Sequence, residues 1–320
     1  MRISSVLPKL VAACAIWGVS ASALAASCCG GGASGGVILP KFNQEMWEMS
    51  YSQEGYDGYW SQERTHKDDP VGSKLKQTTL NLSYARRLSD NWQVSGFVPI
   101  VYNQNHYSGE QSNVSGIGDS QVSVWYETFE NVTCVYRVNS WQSLKPAIYF
   151  GTALTLPTGI STYGDRVDSS LDITGRGFYR LDANMLIEKT VYPFSLAWQA
   201  SYGQHLERAV NEETGKAVTP YDKKLGDRTL HTFSAAYTFF LPNLAMLNAT
   251  LSHTLLDEGQ TTNDGIKDPA SGIEKQSLGL NLSYSSAVRD WIIKMGVSQA
   301  QKGKNIPKTT ITSLGVSHVF

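Results

Sequence analysis

From Pro40 to the C-terminus, apolar and polar residues alternate in runs of about ten. The pattern is clearest at 278–284, where Leu278, Leu280, Leu282 and Tyr284 alternate with Gly279, Asn281 and Ser283. A strand turns successive side chains to opposite faces, so each run reads as a strand with one apolar and one polar face. Leu80, Leu82 and Tyr84 oppose Thr79, Asn81 and Ser83 in the same way. Phe194, Leu196, Trp198, Ala200 and Tyr202 oppose Ser195, Ala197, Gln199, Ser201 and Gly203. Phe233, Ala235, Tyr237 and Phe239 oppose Ser234, Ala236 and Thr238. About twelve strands are predicted, near 42–52, 74–87, 92–104, 119–131, 143–155, 175–189, 194–208, 227–240, 244–256, 274–285, 291–302 and 308–320. No helical period competes with them.

The connections alternate too. Short ones fall at 88–91, 190–193, 241–243 and 286–290; long polar ones fall near 53–73, 105–118, 156–174, 209–226 and 257–273. Strict short–long alternation is the habit of outer-membrane barrels, with short periplasmic turns and long outer loops. An even strand count then puts both termini on the periplasmic side. The apolar faces meet lipid and the polar faces line a lumen. The predicted fold class is therefore all-β: a transmembrane antiparallel β-barrel of about twelve strands, of the outer-membrane type. Trp47, Tyr84, Trp92, Tyr102, Tyr126, Tyr192, Tyr237, Tyr284 and Trp291 fall near predicted strand ends. An aromatic girdle would sit there, although Tyr and Trp are common in strands generally.

The N-terminus supplies the compartment. Residues 1–25 read as an export signal, with Arg2 and Lys9 in the positive region, an apolar stretch at 10–19 too short to span a bilayer, and Ala23-Leu24-Ala25 as the cleavage site. The chain divides into a signal at 1–25, a Cys/Gly-rich periplasmic tail at 26–40 and a barrel at 41–320. A lipid on Cys28 is not favoured, because Ala25-Ala26-Ser27-Cys28 lacks a Leu or Val three residues before the Cys. Charge is nearly balanced, with 27 Lys and Arg against 28 Asp and Glu. Removing the signal takes away two positive charges and no acids, moving the formal charge from −1 to −3. No basic excess exists to bind nucleic acid. The mean hydropathy of −0.24 follows from apolar and polar faces that cancel.

Two motifs punctuate the pattern. Ser115-Gly116-Ile117-Gly118-Asp119 opens a strand carrying Val122, Val124 and Tyr126 on its apolar face. One hairpin later comes Gly151-Thr152-Ala153-Leu154-Thr155-Leu156-Pro157-Thr158-Gly159. Glycine permits the backbone angles of a tight loop, Asp119 can accept from loop amides, and Pro157 suits a strand leaving its ladder. Together these motifs resemble the outer-membrane barrel family labelled as transporters of the meta-pathway of phenol degradation. The resemblance spans roughly residues 40–320 and implies a porin-like barrel without naming its solute. The C-terminal Ser313-Leu314-Gly315-Val316-Ser317-His318-Val319-Phe320 resembles the signal read by the barrel-assembly machinery, matching at Ser313, Gly315 and Phe320 and departing at His318. Expected partners are outer-membrane lipid, that machinery and a small-molecule solute.

Candidate chemistry is sparse. Cys28 and Cys29 begin a glycine tract, and Cys134 lies in the turn region 132–140. One thiol of the pair could bridge Cys134 in an oxidising compartment. Alternatively, the three sulfurs could bind a soft metal such as Cu(I) or Zn(II), or be incidental. No other cofactor is indicated. The six histidines form no nucleophile cluster, Asp68-Asp69 reads as a solvated turn, and no phosphate loop or zinc-protease motif occurs, so an enzyme is not expected. Function is sought in the lumen, where Gln121, Glu127, Arg180, Asp182, Asn184 and Glu188 are predicted to point inward. Inward charges of both signs can tune a channel or merely rigidify it. The leading expectation is passive passage of a small solute, with hydrophobic, aromatic and metal-related solutes all open. The alternative is a barrel-anchored, periplasm-facing metal or redox protein using Cys28, Cys29 and Cys134 with a periplasmic partner.

Overall fold

A computed structural model describes residues 31–33, 36–41, 43–107, 110–128, 134–164, 167 and 172–320. The export signal, Cys28 and Cys29 lie outside them. Twelve antiparallel strands close into a ring: β1 (Glu45–Trp60), β2 (Lys74–Arg87), β3 (Trp92–Tyr107), β4 (Ser120–Glu127), β5 (Ala147–Leu156), β6 (Arg180–Val191), β7 (Phe194–His205), β8 (Arg228–Phe240), β9 (Met246–Glu258), β10 (Ile273–Ser285), β11 (Trp291–Lys304) and β12 (Ile306–Val319). Each strand pairs with its neighbours in sequence, and β12 pairs with β1 from Ile306–Trp60 to Val319–Met46. The seam extends past the strand end, where Gln44 N donates to Phe320 O at 2.9 Å and Phe320 N to Glu45 O at 2.9 Å.

The alternation reads as predicted. Leu82, Tyr84, Val122, Leu181, Leu196, Phe233, Leu251, Leu278, Leu280 and Leu314 are exposed on the outer wall. Ser95, Ser123, Gln199, Thr232, Thr250, Ser252 and Asn281 are buried on the inner one. This is the reverse of a water-soluble barrel and the arrangement a membrane requires. At the short-turn end, outward aromatic rings meet in pairs. Trp92 lies 4.9 Å from Tyr126, Phe194 5.2 Å from Tyr237 and Trp47 5.7 Å from Trp291. His318, the departure from the assembly signal, stacks on Trp47 at 6.0 Å and lies 4.5 Å from Trp291 and 4.4 Å from Phe320. It works there as another ring of the girdle.

The connections depart from strict alternation twice. At the long-loop end, β11 and β12 are joined by Asn305 alone, whose φ of 50° suits an Asn. At the short-turn end, β4 and β5 are joined by the long segment 128–146, in which Cys134–Val135 lies parallel to Thr190–Val191 of β6. Two loops expected to be irregular hold further strands. Arg208–Glu213 pairs with Lys216–Lys224, which pairs with Thr262–Asn263. Apart from Val210, which is buried, these strands are largely solvated, so their sequences carry little period-2 contrast.

The inside–outside assignment is testable at two neighbouring residues. Leu280→Arg puts a charge on the outer wall and should cost about 2–4 kcal/mol near mid-membrane. Asn281→Ala, on the inner wall, should be nearly neutral. Urea unfolding in lipid, followed by tryptophan fluorescence, separates the two; equal costs would contradict the assignment.

Candidate functional site in the barrel lumen

The inner wall is zoned along its length. On β6 the inward residues from the loop end to the turn end are Arg180, Asp182, Asn184, Leu186, Glu188 and Thr190; on β4 they are Gln121, Ser123, Trp125 and Glu127. Charge therefore lies at both ends, with Arg180 and Asp182 at the loop end and Glu127 and Glu188 at the turn end, small polar groups in the middle, and apolar Trp125 and Leu186 beside the turn-end charges. All six predicted inward residues lie on this wall, five of them buried: Gln121 at 5%, Glu127 at 2%, Asp182 at 4%, Asn184 at 5% and Glu188 at 5% exposure. They do not form one site. Glu127 belongs to the turn end, and Arg180 with Asp182 to the loop end.

The turn end is sealed from within by residues 37–41. Val37, Ile38 and Leu39, assigned to the tail from the sequence, are buried inside the barrel. Ile38 packs on Trp125, Ala147, Tyr149 and Leu186. Val37 and Leu39 pack on Met46, Ala85, Ile292 and Val319. Polar groups fix the segment's position. Leu39 N donates to Gln93 Oε1 at 2.7 Å, and Lys41 Nζ meets Glu127 Oε1 at 2.9 Å. Arg87 Nε donates to Asn43 O at 3.0 Å, and its Nη1 lies 3.8 Å from Glu127 Oε2. Glu127, read from the sequence as a lumen charge, is thus the anchor of the seal. Trp125, Tyr149 and Leu186 were missed, because an apolar residue on the inward register breaks the alternation. That break, with the apolar run at 37–39, was the available signal.

Cys134 is disulfide-bonded, and its sulfur is therefore not a thiolate ligand in this state. The chain's other cysteines, Cys14, Cys28 and Cys29, lie outside the described residues. Among the described residues, no group of three His, Cys, Asp or Glu is placed to hold a metal ion.

The loop end is narrowed by residues 157–164 and 172–179, which fold inward, and both sequence motifs serve them. Asp119 sits where the chain breaks between Glu110–Ile117 and β4. Its carboxylate accepts from Gly159 N at 3.1 Å and Arg176 N at 2.6 Å. Thr158 Oγ1 accepts from Ser120 N at 3.0 Å and donates to Gly118 O at 2.6 Å. Gly159 and Gly175 pass so close that a Cβ on Gly159 would lie 2.6 Å from Gly175 Cα, and one on Gly175 2.2 Å from Asp119 Oδ1. Asn103, an inward residue of β3, donates to Ile173 O at 2.6 Å. Outside, Arg208 of the hairpin braces the segment by donating to Gly177 O at 2.7 Å and Tyr163 O at 3.0 Å. Arg176 then reaches Glu258 of β9 with two bonds of 2.6 and 2.7 Å. Burial works against the Arg176 charge, but Glu258 more than offsets it and holds the guanidinium above its ordinary pKa. The latch stays charged at any physiological pH.

No protein-family profile matches the chain, and no curated protein matches it. Solved structures do. An outer membrane channel from Pseudomonas putida F1 superposes with a TM-score of 0.65 at 15% identity, covering 87% of this chain and 96% of that one. The β domain of the Bordetella autotransporter BrkA superposes at 0.50 and 11% identity, covering 87% and 100%. At these identities the likeness is one of fold: a twelve-strand barrel of the outer-membrane type.

Asp119→Ala should free the inward loop. It removes two charge-assisted bonds worth roughly 1.5–3 kcal/mol each, so loop opening should rise at least about tenfold. Tryptic cleavage after Arg176 of the folded barrel should accelerate accordingly; an unchanged rate would deny Asp119 this role.

Proposed function

We propose that the protein is a porin-like channel of the bacterial outer membrane, passing a small solute through a hydrated lumen and gated by its own N-terminal segment. In this reading the short turns face the periplasm, and selection is by width and lining charge without bond chemistry. One observation carries it. In the middle of the lumen, Asn184 and Gln199 have no protein partner for either side-chain polar atom, and Gln121 Oε1, Ser252 Oγ and Asn281 Nδ2 have none among the described residues. Buried polar atoms left dry cost about 1–3 kcal/mol each, so this row favours a polar guest or water over a dry core. A barrel that merely needed a rigid core would pair such groups or replace them. The channel from Pseudomonas putida with the same fold supports the reading.

The turn-end seal has the energetics of a gate. Burying Val37, Ile38 and Leu39 yields roughly 1.5–3 kcal/mol each. Fixing residues 37–41 costs roughly 1–2 kcal/mol for each of five backbones. The two sums nearly cancel, which leaves the Lys41–Glu127 pair and the tether to decide the position. In this reading the Cys134 disulfide is the bridge to the N-terminal cysteine pair expected from the sequence, and such a tether would hold a released seal near the mouth.

Liposome swelling and planar-bilayer recordings test this directly. The full mature chain should conduct in small or infrequent steps. A chain lacking residues 26–41 should conduct in larger ones, and Cys134→Ser or Glu127→Gln should raise open probability. If neither the mature nor the shortened chain conducts or leaks small solutes, the channel reading fails. If both conduct identically, the gate fails.

A further inference from the structure

The four strands β6 to β9 bring one row of inward residues to the same level at the loop end. Asp182 is opposite Gly203, Gly203 is opposite Arg228, and Arg228 is opposite Glu258. Arg180 and His205 form the next pair outward. Arg176 arrives from the inward loop. Arg228 thus feels Arg180, Glu258, Asp182 and Arg176.

The two carboxylates of the row are already committed. Glu258 accepts from both terminal nitrogens of Arg176, at 2.6 and 2.7 Å. Asp182 accepts at both oxygens from Arg180 Nε, at 2.8 and 3.1 Å. Two further acids make other bonds, with Oδ1 of Asp227 left without a hydrogen-bond partner among the described residues. Asp119 holds the amides of Gly159 and Arg176, and Asp227 accepts from Tyr202 Oη at 2.8 Å on the outer wall. What remains is the whole guanidinium of Arg228 and the two terminal nitrogens of Arg180, for which no acceptor is found among the described residues. Gly203 makes the arrangement fit: a Cβ there would lie 2.3 Å from Asp182 Oδ1 and 3.0 Å from Arg180 Cδ, so only glycine lets that pair lean toward Arg228.

Among the described residues, Arg176 and Arg180 are paired with Glu258 and Asp182 while Arg228 has no ion-pair partner, and a guanidinium left so in a low-dielectric wall is costly without a counter-ion. The unused donors are planar forks, the geometry that matches carboxylate and phosphate oxygens. We infer that Arg228 and the free arm of Arg180 form an oxyanion-binding station in the lumen, for a small solute carrying a carboxylate or phosphate group. The station names the solute class of the proposed channel and rests on that reading only for the route by which the solute arrives.

The test is an equilibrium titration of the full mature chain in detergent with acetate and, separately, inorganic phosphate, read by calorimetry at ionic strength held constant with chloride. Saturable binding of at least one oxyanion is expected; the stronger of the two identifies the group preferred. Arg228→Gln should weaken it by about tenfold or more. Arg64→Gln, which removes an arginine paired with Glu274 elsewhere at the loop end, should leave it unchanged. Arg228→Lys keeps the charge, loses the fork and should fall between; it also serves if Arg228→Gln does not fold. No saturable binding of either oxyanion by the unaltered chain overturns the station, as does equal binding by Arg228→Gln. In planar bilayers Arg228→Gln should lower anion-over-cation selectivity. Intact binding by a barrel that does not conduct would retire the channel reading and leave the station standing.

Discussion

Everything in this protein depends on the sheet having no free edge. Hydrocarbon offers no partner to a backbone N–H or C=O, so a sheet can stand in a membrane only when its last strand returns to its first. Here β12 does so along nearly its whole length, and the C-terminal Phe320 continues the ladder one step past the strand. The chain end is therefore part of the seam, which explains why its rings and His318 are packed against Trp47 and Trp291.

Closure with twelve strands sets the width, and the width sets what the interior must contain. Small hydroxyl residues such as Ser95, Ser123, Thr232, Ser234 and Thr250 keep the middle from filling with side chains. At either end the chain supplies its own constriction, by opposite physics. The turn end is closed by apolar burial of residues 37–39, held at one corner by Lys41 on Glu127. The loop end is narrowed by an inward segment held by hydrogen bonds to Asp119 and by the Arg176–Glu258 pair. The first is easily reversed because its terms nearly cancel; the second is a polar latch whose donors and acceptors are committed.

The strands were legible because side-chain period and membrane demand coincide. Ten of the twelve expected strands match the observed ones to within four residues at both ends; β1 runs eight residues further and β6 starts five residues later than expected. β1 runs on to Trp60 through Tyr51, Tyr56 and Tyr59, above the level where an apolar face is needed, so its alternation fades. β4 ends at Glu127, where the chain turns away toward Cys134. The motifs at 115–119 and 151–159 could be seen but not interpreted alone, since their partners, Gly175 and Arg176, lie 57 residues beyond Asp119 in the case of Arg176. The alternation of loop lengths failed at Asn305 and at 128–146, because loop length is constrained by what a loop must cover and not by the barrel.

Sequence alone determined the element type, the strand count, which face of each strand meets lipid and the polar residues that point inward. Those properties follow from local periodicity and a uniform environment, so a single strand contains all the information needed. Tertiary structure decided which inward residues meet. Glu127 with Lys41, Asp119 with two loop amides, and the row Asp182, Gly203, Arg228 and Glu258 are products of ring closure and register, which no one strand encodes. That is also why Arg228 was invisible beforehand: its surplus of charge exists only once its neighbours have chosen other partners.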